Sequence, residues 1–259
     1  MTLPDSISVQ REDAVAVISF NRPDSLNSID AGIRSGLLEA ASSLNADDSV
    51  RVVILTGAGR AFCAGADLTE TPGGSNVTDV LENEYKPALM AIIEAPKPWI
   101  SAVNGAAAGV GSAFAMACDL TIMAEDAYLY QAFSAIGLIP DGGATWHLAR
   151  SVGRKRAYEL MALGEKLGAE KCLQLGLCNR VVAAETLLDE ARALARQLVG
   201  KAPLSLRYTK QSLNAAMEQG VAEVMSNEAQ LQFLCVSSED AREGMQAFLQ
   251  KRAPVFVGK

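Results

Sequence analysis

Two apolar runs that each empty into a loop of small residues constrain this chain more than anything else in it. Val52-Val53-Ile54-Leu55 passes through Thr56 into Gly57-Ala58-Gly59-Arg60-Ala61-Phe62-Cys63-Ala64-Gly65-Ala66-Asp67-Leu68. About forty residues later, Pro98-Trp99-Ile100-Ser101-Ala102-Val103 leads into Asn104-Gly105-Ala106-Ala107-Ala108-Gly109-Val110-Gly111-Ser112-Ala113. Short apolar runs bounded by glycine read as buried strands. Side chains this small let main-chain N–H groups approach a ligand closely, as backbone stabilisation of a developing oxyanion requires.

The flanking sequence supplies helices. Residues 7–10 and 14–20 read as two strands around a Glu12-Asp13 turn, closed by Asn21-Arg22-Pro23. Asp30 can cap a helix whose apolar positions Ile33, Leu37, Leu38, Ala41 and Leu44 recur at helical spacing. A further helix is predicted over 77–94, kinked or divided by Pro87. Residues 112–118 read as helix and 120–124 as strand. Beyond Pro140 helical patterns dominate: 144–175, 185–199, a stretch after Pro203, 222–234 and 239–249. Strands alternating with helices imply an α/β domain with ligands at the strand ends, followed by a helical tail.

Composition narrows the function classes. A 49% apolar content suits a packed globular core, and a formal charge of −7 disfavours nucleic acid as a partner. Five cysteines, an odd number with no C-x-x-C pair, point to a reduced, cytoplasmic setting. The apolar region 99–118 is interrupted by Asn104 and rich in Gly and Ala, so no membrane association is expected. Nor does the N-terminal pattern resemble a signal peptide. Gly105-x-x-x-Gly109-x-Gly111 also fits a dinucleotide-binding turn, but it lies far into the chain and no Tyr-x-x-x-Lys accompanies it. His147 is the only histidine, with no Gly-x-Ser-x-Gly elbow to serve, and reads as structural or pocket-edge. No metal site is expected. Cys63 reads as a packed thiol, Ser134 equally as a pocket donor or a local cap, and Tyr85 and Trp146 as pocket lining or core.

Both loops, in this order and spacing, together with Arg22-Pro23…Leu26-Asn27-Ser28 and Ile139-Pro140-Asp141-Gly142-Gly143, resemble the enoyl-CoA hydratase/isomerase (crotonase) family. The resemblance covers nearly the whole chain. It implies a spiral of ββα turns over residues 1–199, then a C-terminal helical region, 200–259, for trimerisation and active-site cover. It further implies an acyl-CoA substrate, with no separate cofactor because coenzyme A is part of that substrate, and a homotrimer or dimer of trimers. Ala66 and Val110 fall at the two oxyanion-hole donors of the family. Arg22, Leu26, Ala64, Gly65, Asp67, Leu68 and Gly109 fall at substrate-binding positions, as do Phe133 and Ile136.

The departures from the family pattern carry equal weight. Its hydratases use two glutamates, and those positions here are Ala113 and Phe133, which move no proton. Asp141 remains as the ionisable group at a matching catalytic place. The Ile-Pro-Asp-Gly-Gly pattern resembles the isomerases of the family, the ring-1,2-epoxyphenylacetyl-CoA subgroup in particular. Independently of that, Asp141 follows an apolar run with Phe133, Ile136 and Leu138 nearby, where desolvation raises a carboxyl pKa and suits it to act as a base. It can also be a turn residue or a helix N-cap. The expectation is an acyl-CoA isomerase. A hydratase with a different acid–base pair, or a non-catalytic acyl-CoA-binding homologue, is the alternative.

Overall fold

The structure, a computed structural model, describes residues 3–70 and 76–259. Alternating apolar residues pair β1 (Ile7–Glu12) with β2 (Val15–Phe20) as an antiparallel hairpin that turns at Asp13, φ 50°. Asp30 caps α1 (Ala31–Ala46) by accepting the Ile33 N–H at 2.8 Å. Ile33, Leu37, Ala41 and Leu44 form the buried face of that helix, at the predicted spacing.

From there the chain repeats one unit: a long strand, a short strand, a helix. The first turn is β3 (Val52–Gly57), β4 (Ala61–Cys63) and a helical stretch made of α2 (Val77–Val80), a π turn at Leu81–Tyr85 and α3 (Lys86–Ile93). The second is β5 (Trp99–Val103), β6 (Ala106–Ala108) and α4 (Val110–Ala117). The third is β7 (Leu120–Ala124), β8 (Tyr128–Tyr130), α5 (Ala144–Val152) and α6 (Arg154–Leu163). After these come β9 (Lys166–Gly168), α7 (Ala169–Gln174) and β10 (Arg180–Val182). The long strands build a six-stranded sheet, ordered β1-β2-β3-β5-β7-β10, and the short ones a four-stranded sheet, β4-β6-β8-β9. Each turn therefore gives one strand to each sheet, and β3, β5 and β7 run parallel because every crossover is the same unit.

Two expectations are corrected here. The small-residue segments are not wholly loop: Ala61–Cys63 and Ala106–Ala108 pair in parallel as β4 and β6. Main-chain pairing needs no large side chain, so a run of alanines hides a strand. The region 144–175 is three helices and a strand, interrupted at Gly153 and Gly164, both with positive φ. The helix predicted over 77–94 is distorted next to Pro87, as expected: helical backbone continues from α2 into α3, and the ring, which brings no N–H to the turn before it, follows directly on the widened π turn.

The core lies between the sheets and their helices, where Phe20, Phe62, Phe114 and Trp99 are almost wholly buried. Helix α8 (Leu187–Val199) turns Leu187, Ala191 and Ala195 onto the six-stranded sheet. Helix α9 (Pro203–Ala216) is pinned by the buried Lys210, whose ammonium donates to the Ile92 carbonyl at 2.7 Å and to Asp119 at 2.8 Å. Helix α10 (Val221–Val236) packs on α9, and α11 (Glu239–Gln250) packs on α10. No helix among the described residues is long and apolar enough to cross a membrane.

Candidate active site

The two loops meet. A Cβ placed on Gly65 would lie 3.1 Å from the Ala108 carbonyl oxygen and 3.8 Å from the Gly109 Cα. Contact this close requires the small residues seen in the sequence. Ile29 bridges the first loop: its N–H donates to Gly65 O at 2.8 Å and its carbonyl accepts from Asp67 N at 3.0 Å. In a parallel bridge of this kind the residue between the two bonded partners turns its own N–H away. The Ala66 N–H accordingly donates to no group among the described residues.

The second donor is set by one peptide. Gly109 adopts φ 53° and ψ −132°, a conformation open to glycine and not to residues with a Cβ. Its carbonyl is held by the Ser112 N–H at 3.0 Å and the Ser112 hydroxyl at 2.7 Å, and Gln131 Nε2 donates to that hydroxyl at 2.7 Å. Carbonyl and N–H of one trans peptide point in opposite directions, so this anchoring aims the Val110 N–H away from α4. As the first residue of α4, Val110 has no helical partner for that N–H. Two amides without a partner among the described residues thus sit on loops that touch.

Asp141 precedes a glycine packed against the same helix end. Gly142, φ 59°, is packed so tightly that a Cβ there would be 2.9 Å from both Ala113 Cβ and Val110 Cγ2, and 3.4 Å from Leu89 Cδ1. The Asp141 carboxyl is half-buried, and its Oδ1 has no hydrogen-bond partner among the described residues. Burial pushes its pKa from 3.8 up to about 6, outweighing a hydrogen bond from its own backbone N–H. Helix α5 starts from Gly143 with no side-chain cap, so Asp141 is not the N-cap. Its carbonyl merely accepts the Ala144 N–H in the turn.

The remaining sequence candidates divide. Phe133 is buried, with its ring edge 3.8 Å from a Cβ position on Gly109, and Ala113 is buried beside Gly142. Both hydratase-glutamate positions are therefore apolar walls. Ile136, Leu138 and Leu68 are exposed; a 3-10 turn over Ala132–Ile136 and a left-handed Gly137 carry the first two outward. Leu26 is half-buried and accepts the Ala64 N–H at 3.0 Å. Arg22 is engaged by acids: it reaches Asp67 at 2.8 Å and Asp30 at 3.2 Å, and donates to the Ser28 carbonyl. Hydrogen bonds from Thr69 and Arg22 hold Asp67 well below the usual carboxylate range. In this chain Arg22 and Asp67 tie the first loop to the 22–30 segment.

Trp146 and His147 face elsewhere. They line an apolar cavity of about 440 Å³ with Met116, Cys118 and Lys210, at the far end of α4. Burial, with Arg150 nearby, lowers the His147 pKa to about 4, so the ring is neutral. Burial raises the Cys63 thiol to about 12, which rules it out as a nucleophile. Ser134 is exposed, its hydroxyl near Gly164. No cluster of metal-ligating side chains occurs among the described residues.

Sequence reasoning missed the groups that brace the loops. Buried Asn27 donates to Ala58 O and Ala61 O, and Asn104 bridges Gly57 N–H and Gly59 O. Buried Arg34 pairs with Glu70 and Glu84, both at 2.7 Å. Only the asparagines had a visible signal, as the polar residues inside otherwise apolar or small-residue motifs.

The sequence model described as Enoyl-CoA hydratase/isomerase matches residues 10–259. A 1,2-epoxyphenylacetyl-CoA isomerase of Escherichia coli is 41% identical over 253 residues, covering 96% of this chain and 97% of that protein. A crotonyl-CoA hydratase of Syntrophomonas wolfei is 34% identical over 257 residues, covering 98% and 99%. Among solved structures, an enoyl-CoA hydratase of Bacillus anthracis superposes with a TM-score of 0.92 at 32% identity, covering 98% of this chain and 100% of that one.

Proposed function

The chain belongs to the enoyl-CoA hydratase/isomerase family and has its crotonase fold, and from that premise we propose that it is an acyl-CoA isomerase with Asp141 as its acid–base group. One observation carries the reading: a half-buried carboxyl with an oxygen unpartnered among the described residues and a pKa pushed up to about 6 belongs to the neighbour of Gly142, which packs against Val110 and Ala113 of α4. Ala113 and Phe133 stand where the family's hydratases carry their two glutamates, so that acid–base pair is missing, and one base suffices to move a proton between two carbons of one substrate.

The chemistry follows from these parts. For a 3-enoyl thioester, Asp141 takes a proton from C2 and the electron pair delocalises into the thioester carbonyl. The Ala66 and Val110 N–H groups donate to the resulting dienolate oxygen. Each such donor is worth about 3–4 kcal/mol where charge develops. Protonated Asp141 then returns the proton to C4, leaving the conjugated 2-enoyl thioester. For an acyl group bearing a ring epoxide, the same carboxyl assists ring opening. The E. coli relative's name supports such a substrate, while the hydratase names of other relatives support the straight chain.

The 1–199 unit carries the acyl-CoA site in this reading, and residues 200–259 supply oligomer contacts. Phe233, Phe248 and Leu249 expose large apolar surfaces there, which suits a homotrimer or a dimer of trimers. Five unpaired thiols, four of them buried, suit a cytoplasmic enzyme.

The test is incubation of the protein with a 3-enoyl-CoA in deuterated water, with crotonyl-CoA hydration in parallel. Conjugated product without hydration is the expected result. Hydration at a comparable rate would overturn the single-base reading in favour of a hydratase with another acid–base pair. Tight acyl-CoA binding with neither reaction would leave a binding protein.

A further inference from the structure

A second cavity, of about 420 Å³, opens where the C-terminal helices meet the core, and cations line it. Arg51, just ahead of β3, and Lys97, just ahead of the run into β5, belong to its core side. Lys201 lines it from the connection before α9, and Arg207 from the helix itself. The tail Val257–Lys259 closes a third side. The loops assigned to acyl-CoA follow the other ends of β3 and β5, and six residues of β3 span roughly 20 Å. This cavity therefore lies at the opposite edge of the six-stranded sheet.

Its walls are fixed by their own contacts. The buried Lys97 ammonium donates to the carbonyls of Leu44, Asp47 and Val50 at 2.7, 2.8 and 2.7 Å, and no carboxylate balances its charge. Buried Asp240 pins the tail by accepting the Val257 N–H at 2.7 Å and the Gly258 N–H at 2.8 Å. A Cβ on Gly258 would lie 3.4 Å from the Pro203 ring, so the tail also rests on the start of α9.

The charge on these walls is left unmatched. Half-buried Arg51 makes one long hydrogen bond among the described residues, 3.5 Å to the Lys201 carbonyl. Arg207 lies 5.8 Å from the ring of its neighbour Tyr208, and neither it nor Lys201 enters an ion pair among the described residues. Elsewhere the chain matches its cations, Arg11 with Asp47, Arg34 with Glu70 and Glu84, and Arg252 with Glu243. Asp48 is the acidic side chain among the lining residues, and it is exposed. Like charges gathered on one wall repel each other, and an anion bound among them removes that cost.

We propose that this cavity is a binding site for a diphosphate-bearing ligand, held by Arg51, Lys201 and Arg207. Guanidinium groups offer paired donors in a fixed fork that matches phosphate oxygens, and several cations suit a multiply charged anion. The volume falls within the roughly 300–1,000 Å³ of small-ligand sites. Leu204, Leu206 and Pro98 supply apolar wall beside the cations, which suits a flat ring attached to the phosphates. The ligand ties the C-terminal region to the core, and its site does not depend on which reaction occurs at Asp141.

Calorimetric titration of the full chain with pyrophosphate and with ADP tests the assignment. The wild type is expected to bind pyrophosphate, with an affinity that falls as salt rises. Arg51→Gln combined with Arg207→Gln, first checked for cooperative unfolding, should weaken that binding roughly tenfold or more while acyl-CoA affinity stays unchanged. Lys201→Gln alone should weaken it severalfold, which keeps the test open if the double variant does not fold. Tighter binding of ADP than of pyrophosphate makes a nucleotide the natural source, and equal affinities make it an inorganic polyphosphate. Absence of pyrophosphate binding at millimolar concentration overturns the proposal, as does binding that both variants leave intact.

Discussion

The two halves of the molecule are incomplete in opposite ways. In the described residues of 3–199 most apolar side chains are packed away, Leu68 and the Ile136–Ile139 stretch being exceptions, and the loops' polar groups are braced by Asn27, Asn104, Arg34 and Ser112. Yet Asp141 Oδ1 and the amides of Ala66 and Val110 lack partners among the described residues. In residues 200–259 it is the apolar side chains that are left over. Helix α10 buries Leu231 alone and exposes Val221, Met225, Phe233 and Val236. An unpartnered polar group in an apolar wall invites a small polar ligand. An unpartnered apolar face invites another protein surface. One chain thus carries both kinds of unmet contact, the first where chemistry is proposed and the second where assembly is.

The sharpest way to break the comparison is at its polar end. Asp141→Asn should lower isomerisation roughly a thousandfold, within the range for removing a general base. The wild-type rate should rise with pH through about 6 as the carboxyl ionises, and the variant should lack that limb. Stability should move the other way. A carboxyl whose folded pKa lies above its unfolded value stabilises the fold when protonated, and that contribution is lost as pH rises through the folded pKa. The variant should therefore melt above the wild type at pH 7, by about 2–4 °C for each kcal/mol, with the gain gone below about pH 4. Full turnover by the Asp141→Asn variant would remove the base assignment.

Phe62 and Phe248 give the next contrast. Phe62 is wholly buried, with Phe20 edge-on to it at 5.5 Å, so Phe62→Ala should cost about 3–5 kcal/mol in chemical denaturation. Ser112→Ala should have a smaller and different effect. It loosens the Gly109 carbonyl and strands Gln131, so kcat should fall about tenfold with KM nearly unchanged, since a misaimed donor matters where charge develops. Equal effects on kcat and denaturation midpoint would reduce Ser112 to a packing residue. Phe248 is 83% exposed, and Phe248→Ser should shift monomer stability by less than about 0.5 kcal/mol. Sedimentation should nevertheless show weakened self-association, and an unaltered assembly would detach this face from the interface.

Much of this is legible in the residues alone. The hairpin, the Asp30-capped helix and the buried strands before each loop follow from apolar period and cap chemistry. The loop glycines imply that two main chains approach closely, and the missing glutamates single out Asp141. The rest lies beyond residue type. β4 and β6 are written largely in alanines, whose side chains carry no strand period, and only pairing with a neighbour makes them strands. Ile136 and Leu138 read as pocket lining because they are apolar; a 3-10 turn and a left-handed glycine, not hydrophobicity, decide which way they point.

The sequence by itself determined the family, the spiral of strands and helices, and the chemical character of the site. These rest on local pattern: periodicity, small residues and the identity of one acid. Only the tertiary structure decided which groups go unsatisfied. Whether Arg22 is free or paired with Asp67, and whether Asp141 caps a helix or keeps an oxygen unpartnered, are questions about neighbours distant in the chain. Burial and pairing are properties of three-dimensional surroundings, and a pKa or an empty hydrogen bond exists only once those surroundings are assembled.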